Sequence, residues 1–210
     1  DLSGDLRVHD NVVMNQGGSG LEYKINCGWS NDAYIYNNVF INVGLPIDVN
    51  CASNCGGLAT GMYIGGGMLY GDVHVFNNTV HTWDATDWQG VPGSCIVISG
   101  NTPAPPDIFF DDNVCHSPTS KSMFSLGYRS DGIAGHISGS GNAFHAPELS
   151  EPDWALASIV EAPLMTLTGA RVAVQLGSPL IGQSRTALDR DIYGYRRSNP
   201  STTGAVHYVR

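Results

Sequence analysis

The chain has 210 residues, with 10 Lys and Arg against 19 Asp and Glu, for a formal net charge of −9. Charged residues make up only 14% of it and apolar residues 42%, where an average soluble domain has roughly 25% charged; this excludes a disordered tail or a charge-laced coiled coil. The acidic balance argues against a nucleic-acid protein, which needs a basic face, and no stretch approaches the roughly 18 consecutive apolar residues of a membrane-spanning helix.

The first element is Leu6-Arg-Val-His-Asp-Asn11, an apolar alternation closed by a polar pair, with Val13 two places on. The same form returns at 33–38, 73–78 and 108–113, and again at 137–142, where the Asn is kept but the polar pair is lost. The closing Asn therefore recurs at Asn11, Asn38, Asn78, Asn113 and Asn142, in steps of 27, 40, 35 and 29. Five places before it stand Leu6, Ala33, Val73, Ile108 and Ile137, and two places after it Val13, Phe40, Val80, Cys115 and Phe144. Period-two alternation puts each such column on one strand face, pointing inward. A second set of strands begins roughly 17 residues before each of the last four Asn positions: Leu21-Glu-Tyr-Lys-Ile, Gly61-Met-Tyr-Ile, Cys95-Ile-Val-Ile and Met123-Phe-Ser-Leu.

Three short strands per repeat, stacked in register, make a solenoid whose neighbouring coils bury a continuous column. The recurring Asn is expected at the bend, its amide bonding backbone and the Asn above and below; Asn also tolerates the left-handed geometry such a bend can require. In its Asn-Asn-Val-Phe, Asn-Asn-Thr-Val and Asp-Asn-Val-Cys turns the chain resembles the right-handed parallel β-helix family of carbohydrate-active proteins, of polysaccharide-lyase and glycoside-hydrolase type. The resemblance covers roughly residues 5–146. It implies an all-β, single-stranded right-handed parallel β-helix of about five coils over residues 1–146, with 147–210 as a C-terminal capping and closing segment of the same domain. The tail motifs Leu176-Gly-Ser-Pro and Asp191-Ile-Tyr-Gly-Tyr-Arg-Arg197, with Gly204-Ala, resemble the closing segment of secreted β-helix carbohydrate enzymes. Their expected role is to cover the exposed end of the solenoid. The N-terminal end shows no comparable cap, as expected of the C-terminal portion of a longer β-helix.

Five cysteines are an odd number, so at least one is unpaired or bonded to another chain. Cys51 and Cys55, or one of them with Cys27, are the expected bridge, which would place the chain in an oxidising compartment. The start at Asp1, without an initiator Met or an apolar leader, fits a chain whose signal peptide is removed or a stretch of a longer one. Localisation is accordingly expected to be extracellular, secreted or periplasmic.

Repeat length varies at one connection, between the third strand and the next coil's first, long at 44–59 and 82–93. Long connections on one edge of a rigid scaffold are usual sites of binding. Trp83 and Trp88 offer flat apolar faces to sugar rings, with Tyr63 on the neighbouring strand face, and Asp84 and Asp87 supply carboxylates beside them. Glycoside hydrolysis needs two carboxyl groups about 5–9.5 Å apart, one acid and one base or nucleophile. Glu22, Asp84, Asp87 and Asp131 are the candidates, because residues one coil apart, about 4.8 Å, can reach that separation. β-Elimination instead needs a base and a cation neutralising a uronate, for which Lys24 and Arg129 are available, three coils apart. The Glu22-x-Lys24 strand, with Asn38 and a glycine-rich strand after it, resembles the layout of alginate and chondroitin β-helix lyases. Those carry an Arg one coil after the Lys, whereas Met62-Tyr-Ile-Gly-Gly-Gly67 has none.

Tyr34, Tyr36, His74, Phe76 and Phe109 alternate outward, and the C-terminal tail is expected to pack across them. The seven histidines read as scattered, so no metal site is expected. The expectation is a carbohydrate-active protein that binds an extended polysaccharide and cleaves it by glycosidic hydrolysis. A β-eliminating lyase is second, and a non-catalytic glycan-binding or adhesin-like β-helix third. No cofactor is called for; Ca²⁺ is the one ion through which so acidic a chain could accept an acidic polymer. The polysaccharide is the sole expected partner, and the sequence does not settle an oligomeric state.

Overall fold

The computed structural model describes residues 4–17, 20–24, 31–45, 60–66, 71–81, 94–100, 106–116, 122–126, 134–145, 157–159, 162–184, 188–198 and 200–208. In chain order the strands are β1 (Leu6–His9), β2 (Val12–Gly17) and β3 (Leu21–Lys24); β4 (Ala33–Tyr36), β5 (Val39–Leu45) and β6 (Thr60–Gly66); β7 (Val73–Phe76), β8 (Thr79–His81) and β9 (Ser94–Gly100); β10 (Ile108–Asp111), β11 (Val114–His116) and β12 (Ser122–Leu126); β13 (Ile137–Ser140), β14 (Asn142–His145) and β15 (Ala157–Ile159). A hairpin of β16 (Met165–Thr168) and β17 (Arg171–Val174) follows.

Each strand lies beside its counterpart one repeat away, in parallel. Sheet A runs β1-β4-β7-β10-β13, sheet B β2-β5-β8-β11-β14-β15, and sheet C β3-β6-β9-β12. This is a parallel β-helix solenoid, as the Asn repeat implies. The columns aligned on that Asn are the observed register: Ala33 pairs with Val73, Ile108 with Val73 and Ile137, and Phe40 with Val80. Inward residues of the three sheets form one apolar shaft, in which Ile35, Phe40, Ile64, Ile98, Phe110 and Phe144 are at most 1% exposed. Burying each such side chain is worth about 1.5–3 kcal/mol, so the shaft is the main source of stability.

The bend between sheets A and B is held by an asparagine ladder. The Asn38 backbone N–H and Nδ2 both donate to Asn78 Oδ1 at 3.1 and 2.9 Å. Asn78 donates likewise to Asn113 Oδ1, and Asn113 to Asn142 Oδ1. Each amide also serves a carbonyl of the neighbouring coil three places before its own Asn: Asn38 Nδ2 to Val8, Asn78 Nδ2 to Ile35, Asn113 Nδ2 to Val75 and Asn142 Nδ2 to Phe110.

The left-handed backbone falls elsewhere than expected. It belongs to the residue before the ladder Asn: Asp10, Asn37, Asn77 and Asp112 have φ of 51–58°. The polar pair thus divides two tasks, one residue turning the chain and the next satisfying its bend. The fifth repeat loses the pair because Gly141 takes the turn, at φ 69°, and a Cβ there would collide with Asp112 Oδ1.

The tail packs along the solenoid's flank. Val172, Val174, Leu180, Ala205 and Val206 form a second apolar cluster with Val39, Ile41, Val114 and Ala143 on the outer face of sheet B. Gly204 approaches so closely that a Cβ would lie 2.6 Å from Thr79 Oγ1 and 2.7 Å from Val114 Cγ2, and its φ is 91°. Arg197, 8% exposed, donates to the carbonyls of Arg190, Thr202 and Gly204 and to Asn37 Oδ1, which ties the tail to the turning residues. Ser184 Oγ donates to Asp112 Oδ2 at 3.0 Å. The described tail residues therefore cover sheet B, and of the aromatic stripe of sheet A they reach Tyr36, which lines a cleft with Leu188, Asp189 and Arg190. What residues 146–156 do, and so how an end of the solenoid is covered, lies outside the described residues.

Candidate functional site

Sheet C carries the sequence-derived site. Leu21, Tyr23, Met62, Ile64, Ile96 and Ile98 face the shaft, so Glu22, Lys24 and Tyr63 occupy the alternate positions of their strands. Register sets Glu22 beside Tyr63, Tyr63 beside Val97 and Val97 beside Ser125, one row running along the solenoid. The next row is Lys24, Gly65 and Ser99. Two consequences follow from these rows. Glu22 is the single carboxylate residue in the four strands of sheet C, so the position one coil away, Tyr63, cannot supply its partner. Lys24 shares its row with Gly65 and Ser99, neither of them a cation. Asp84, Asp87, Asp131, Trp83, Trp88 and Arg129 lie outside the described residues.

On sheet A the outward side chains stack in two columns. His9, Tyr36 and Phe76 follow one another with centroids 4.7 and 4.9 Å apart and planes within 9°. Tyr34, His74 and Phe109 do the same at 4.7 and 4.9 Å, with Arg7 5.3 Å over the Tyr34 ring. Parallel rings at one-coil spacing turn their faces to each other and leave their edges outward. A sugar ring, which packs against an aromatic face, therefore finds purchase only at the ends of a column.

Sheet B carries a row that sequence reasoning missed. His81, His116 and His145 stand in register, three places after successive ladder asparagines. Their ring centroids are 4.9 and 5.5 Å apart. Burial, followed by the neighbouring His81 and His145, lowers the His116 pKa to about 4; burial also lowers that of His81. Both imidazoles are neutral near pH 7. His9 and His74 belong to the aromatic columns, so five of the seven histidines stand in columns, while His136 bonds Asp107 Oδ1 at 3.0 Å and His207 lies in the tail. Among the described residues no three His, Cys, Asp or Glu side chains are placed to hold a metal ion together.

A second missed column is acidic. Asp32, Asp72 and Asp107 each precede a strand of sheet A. Asp32 Oδ1 accepts the Asp72 N–H at 3.0 Å, and Asp72 Oδ1 the Asp107 N–H at 3.2 Å. These carboxylates bridge successive coils through the backbone, and the signal was present as Asp six places before four of the five ladder asparagines. Cys115, inside the shaft, is disulfide-bonded. Cys27, Cys51 and Cys55, the cysteines of the expected bridge, lie outside the described residues. Burial, then Asp32, raises the Tyr23 pKa to about 12, so this phenol stays protonated inside the shaft at neutral pH.

Comparison with protein-family models, with curated proteins and with solved structures finds no match to this chain.

Proposed function

We propose that this chain is a secreted, carbohydrate-active solenoid that binds an extended polysaccharide along the outer face of sheet C and cleaves it by glycosidic hydrolysis. The observation that carries the reading is the register of sheet C. It sets Glu22, Tyr63, Val97 and Ser125 in a straight row with one position per coil, a linear track of about 4.8 Å repeat suited to a polymer of repeating units. The connections 46–59 and 82–93 join strands of sheet B to strands of sheet C. Tyr63, Trp83 and Trp88 are the proposed sugar-binding residues. Glu22 contributes one catalytic carboxyl group, and Asp84 or Asp87 the second, since no strand of sheet C offers another. Elimination is the weaker reading, because the strand row that holds Lys24 continues through Gly65 and Ser99, neither of which can neutralise a uronate. The Cys115 disulfide supports an oxidising, extracellular location. A solenoid alone implies no particular activity, so chemistry must decide.

The test is a panel of neutral and acidic polysaccharides, assayed for new reducing ends and for the ultraviolet absorbance of unsaturated products, with Glu22→Gln, Lys24→Ala and Asp84→Asn alongside. Hydrolysis gives reducing ends without the absorbance and is lost in Glu22→Gln. Turnover retained in all three variants sinks the site assignment. Gel retardation without turnover leaves a glycan-binding solenoid.

A further inference from the structure

The tail encloses a concave space of its own, a cleft of about 520 Å³. Ile181, Tyr195, Arg196, Thr202, His207 and Tyr208 are the lining residues that give it character, and no described carboxylate lines it. That is unusual in a chain of net charge −9. Arg171 is engaged by Tyr195, Arg190 by the Gly194 carbonyl, and Arg197 by its four acceptors. Arg196, by contrast, is exposed and has no hydrogen bond or ion pair among the described residues.

The other polar groups of the cleft are poised to donate. Tyr195 Oη accepts from Arg171 Nη2 at 3.0 Å, which leaves its own O–H free. Thr202 Oγ1 accepts the Tyr208 N–H at 3.0 Å and stands 3.3 Å from His207 Nδ1. With the hydroxyl proton directed to Nδ1, the imidazole carries its proton on Nε2. Burial and then Arg197 lower the His207 pKa against the opposing Asp191 carboxylate, which accepts the His207 backbone N–H, so the ring is neutral near pH 7. One unpaired guanidinium, a phenol O–H and an imidazole N–H, in a cleft also lined by Tyr208 and Ile181, suit a ligand that is rich in acceptors, anionic and ring-shaped.

We propose that this cleft binds an oxyanion carried on a sugar ring, a carboxylate or a sulfate ester, with Arg196 taking the anion and Tyr195 and Tyr208 flanking the ring. The sugar identity rests on the polysaccharide reading above; the charge preference rests on the cleft itself. It is a subsite separate from the sheet C track, and it selects acidic units in the chain being held.

Saturation-transfer NMR and calorimetry on the whole chain test it, with galacturonate, galactose 6-sulfate, galactose and inorganic phosphate as probes. Galacturonate or galactose 6-sulfate is expected to bind at least roughly tenfold more tightly than galactose, and Arg196→Gln to remove that advantage. Whichever acidic sugar binds identifies the anion. Because Arg196 is exposed and unpaired, the variant should fold, which far-ultraviolet circular dichroism checks. The proposal is overturned if galactose binds equally well, if Arg196→Gln changes nothing, or if phosphate alone binds as tightly as the acidic sugars. If acidic sugars fail while a polysaccharide gel still retards the protein, the cleft proposal falls and the polysaccharide reading stands. If both fail, both fall.

Discussion

Replacing Asn78 by Ala tests what the ladder contributes. The Asn78 side chain is fully buried and makes five contacts. Nδ2 donates to the Ile35 carbonyl at 2.9 Å, the Phe76 carbonyl at 3.2 Å and Asn113 Oδ1 at 3.0 Å, while Oδ1 accepts the Asn38 N–H and Nδ2. Alanine leaves the Asn38 N–H without its acceptor and the Ile35 carbonyl without this donor, in a place closed to water. An orphaned buried group costs about 1–3 kcal/mol, so the loss should be about 3–5 kcal/mol. Asn11 is exposed, and its amide reaches only the His9 carbonyl and Asn38 Oδ1. Water can replace those bonds, and Asn11→Ala should cost about 1 kcal/mol. Urea unfolding followed by circular dichroism measures both, provided the slope of the transition stays constant. Equal losses at the two positions, or less than about 1 kcal/mol at Asn78, would refute the view that the ladder satisfies the bend rather than decorating it.

Three further outcomes are expected. His81, His116 and His207 have folded pKa values below the unfolded value of about 6.5, so the unfolded chain takes up protons first. Stability should be full above about pH 6.5 and fall as pH is lowered, levelling near pH 4 where His116 itself charges. Urea midpoints between pH 7.5 and 4 should show this, with a shallower fall in His116→Leu. Gly204→Ala forces a Cβ onto Thr79 and Val114 at positive φ, and should loosen the tail by about 1–3 kcal/mol; faster proteolysis of residues 162–208 would report it. Phe110→Ala empties a fully buried place in the shaft and should cost about 3–5 kcal/mol, read as a lowered melting temperature.

The sheets were legible because strand alternation and the ladder Asn act within a few residues of each other, and one alignment brings all five Asn positions into register. Register then required nothing beyond that alignment, as the pairing of Val73 with Ile108 shows. The left-handed residue was misplaced by one, because Asp and Asn tolerate positive φ equally; Gly141, in the repeat that lost the polar pair, was the clue. The tail's seat was not legible, since it depends on Gly204 and Arg197 meeting solenoid partners 90 or more residues away. At the site, the row containing Glu22 could be drawn from the sequence. Its lack of a second carboxylate emerged once Tyr63 was fixed beside it. The histidine row was open to the same alignment, three places past the Asn, but polar residues outside a strand's inward column invite no search.

From Asn11 to Asn113 each ladder amide gives one proton to the Oδ1 of the coil that follows, so the dipoles of Asn11, Asn38, Asn78 and Asn113 share one heading. The stack behaves as a vector. Reversing one member would set oxygen against oxygen on one side and proton against proton on the other, so no single amide can turn over alone. Polarisation along such a file strengthens each link, and the two extremities of the solenoid are chemically unlike: a coil added before Asn11 would have to arrive as a donor.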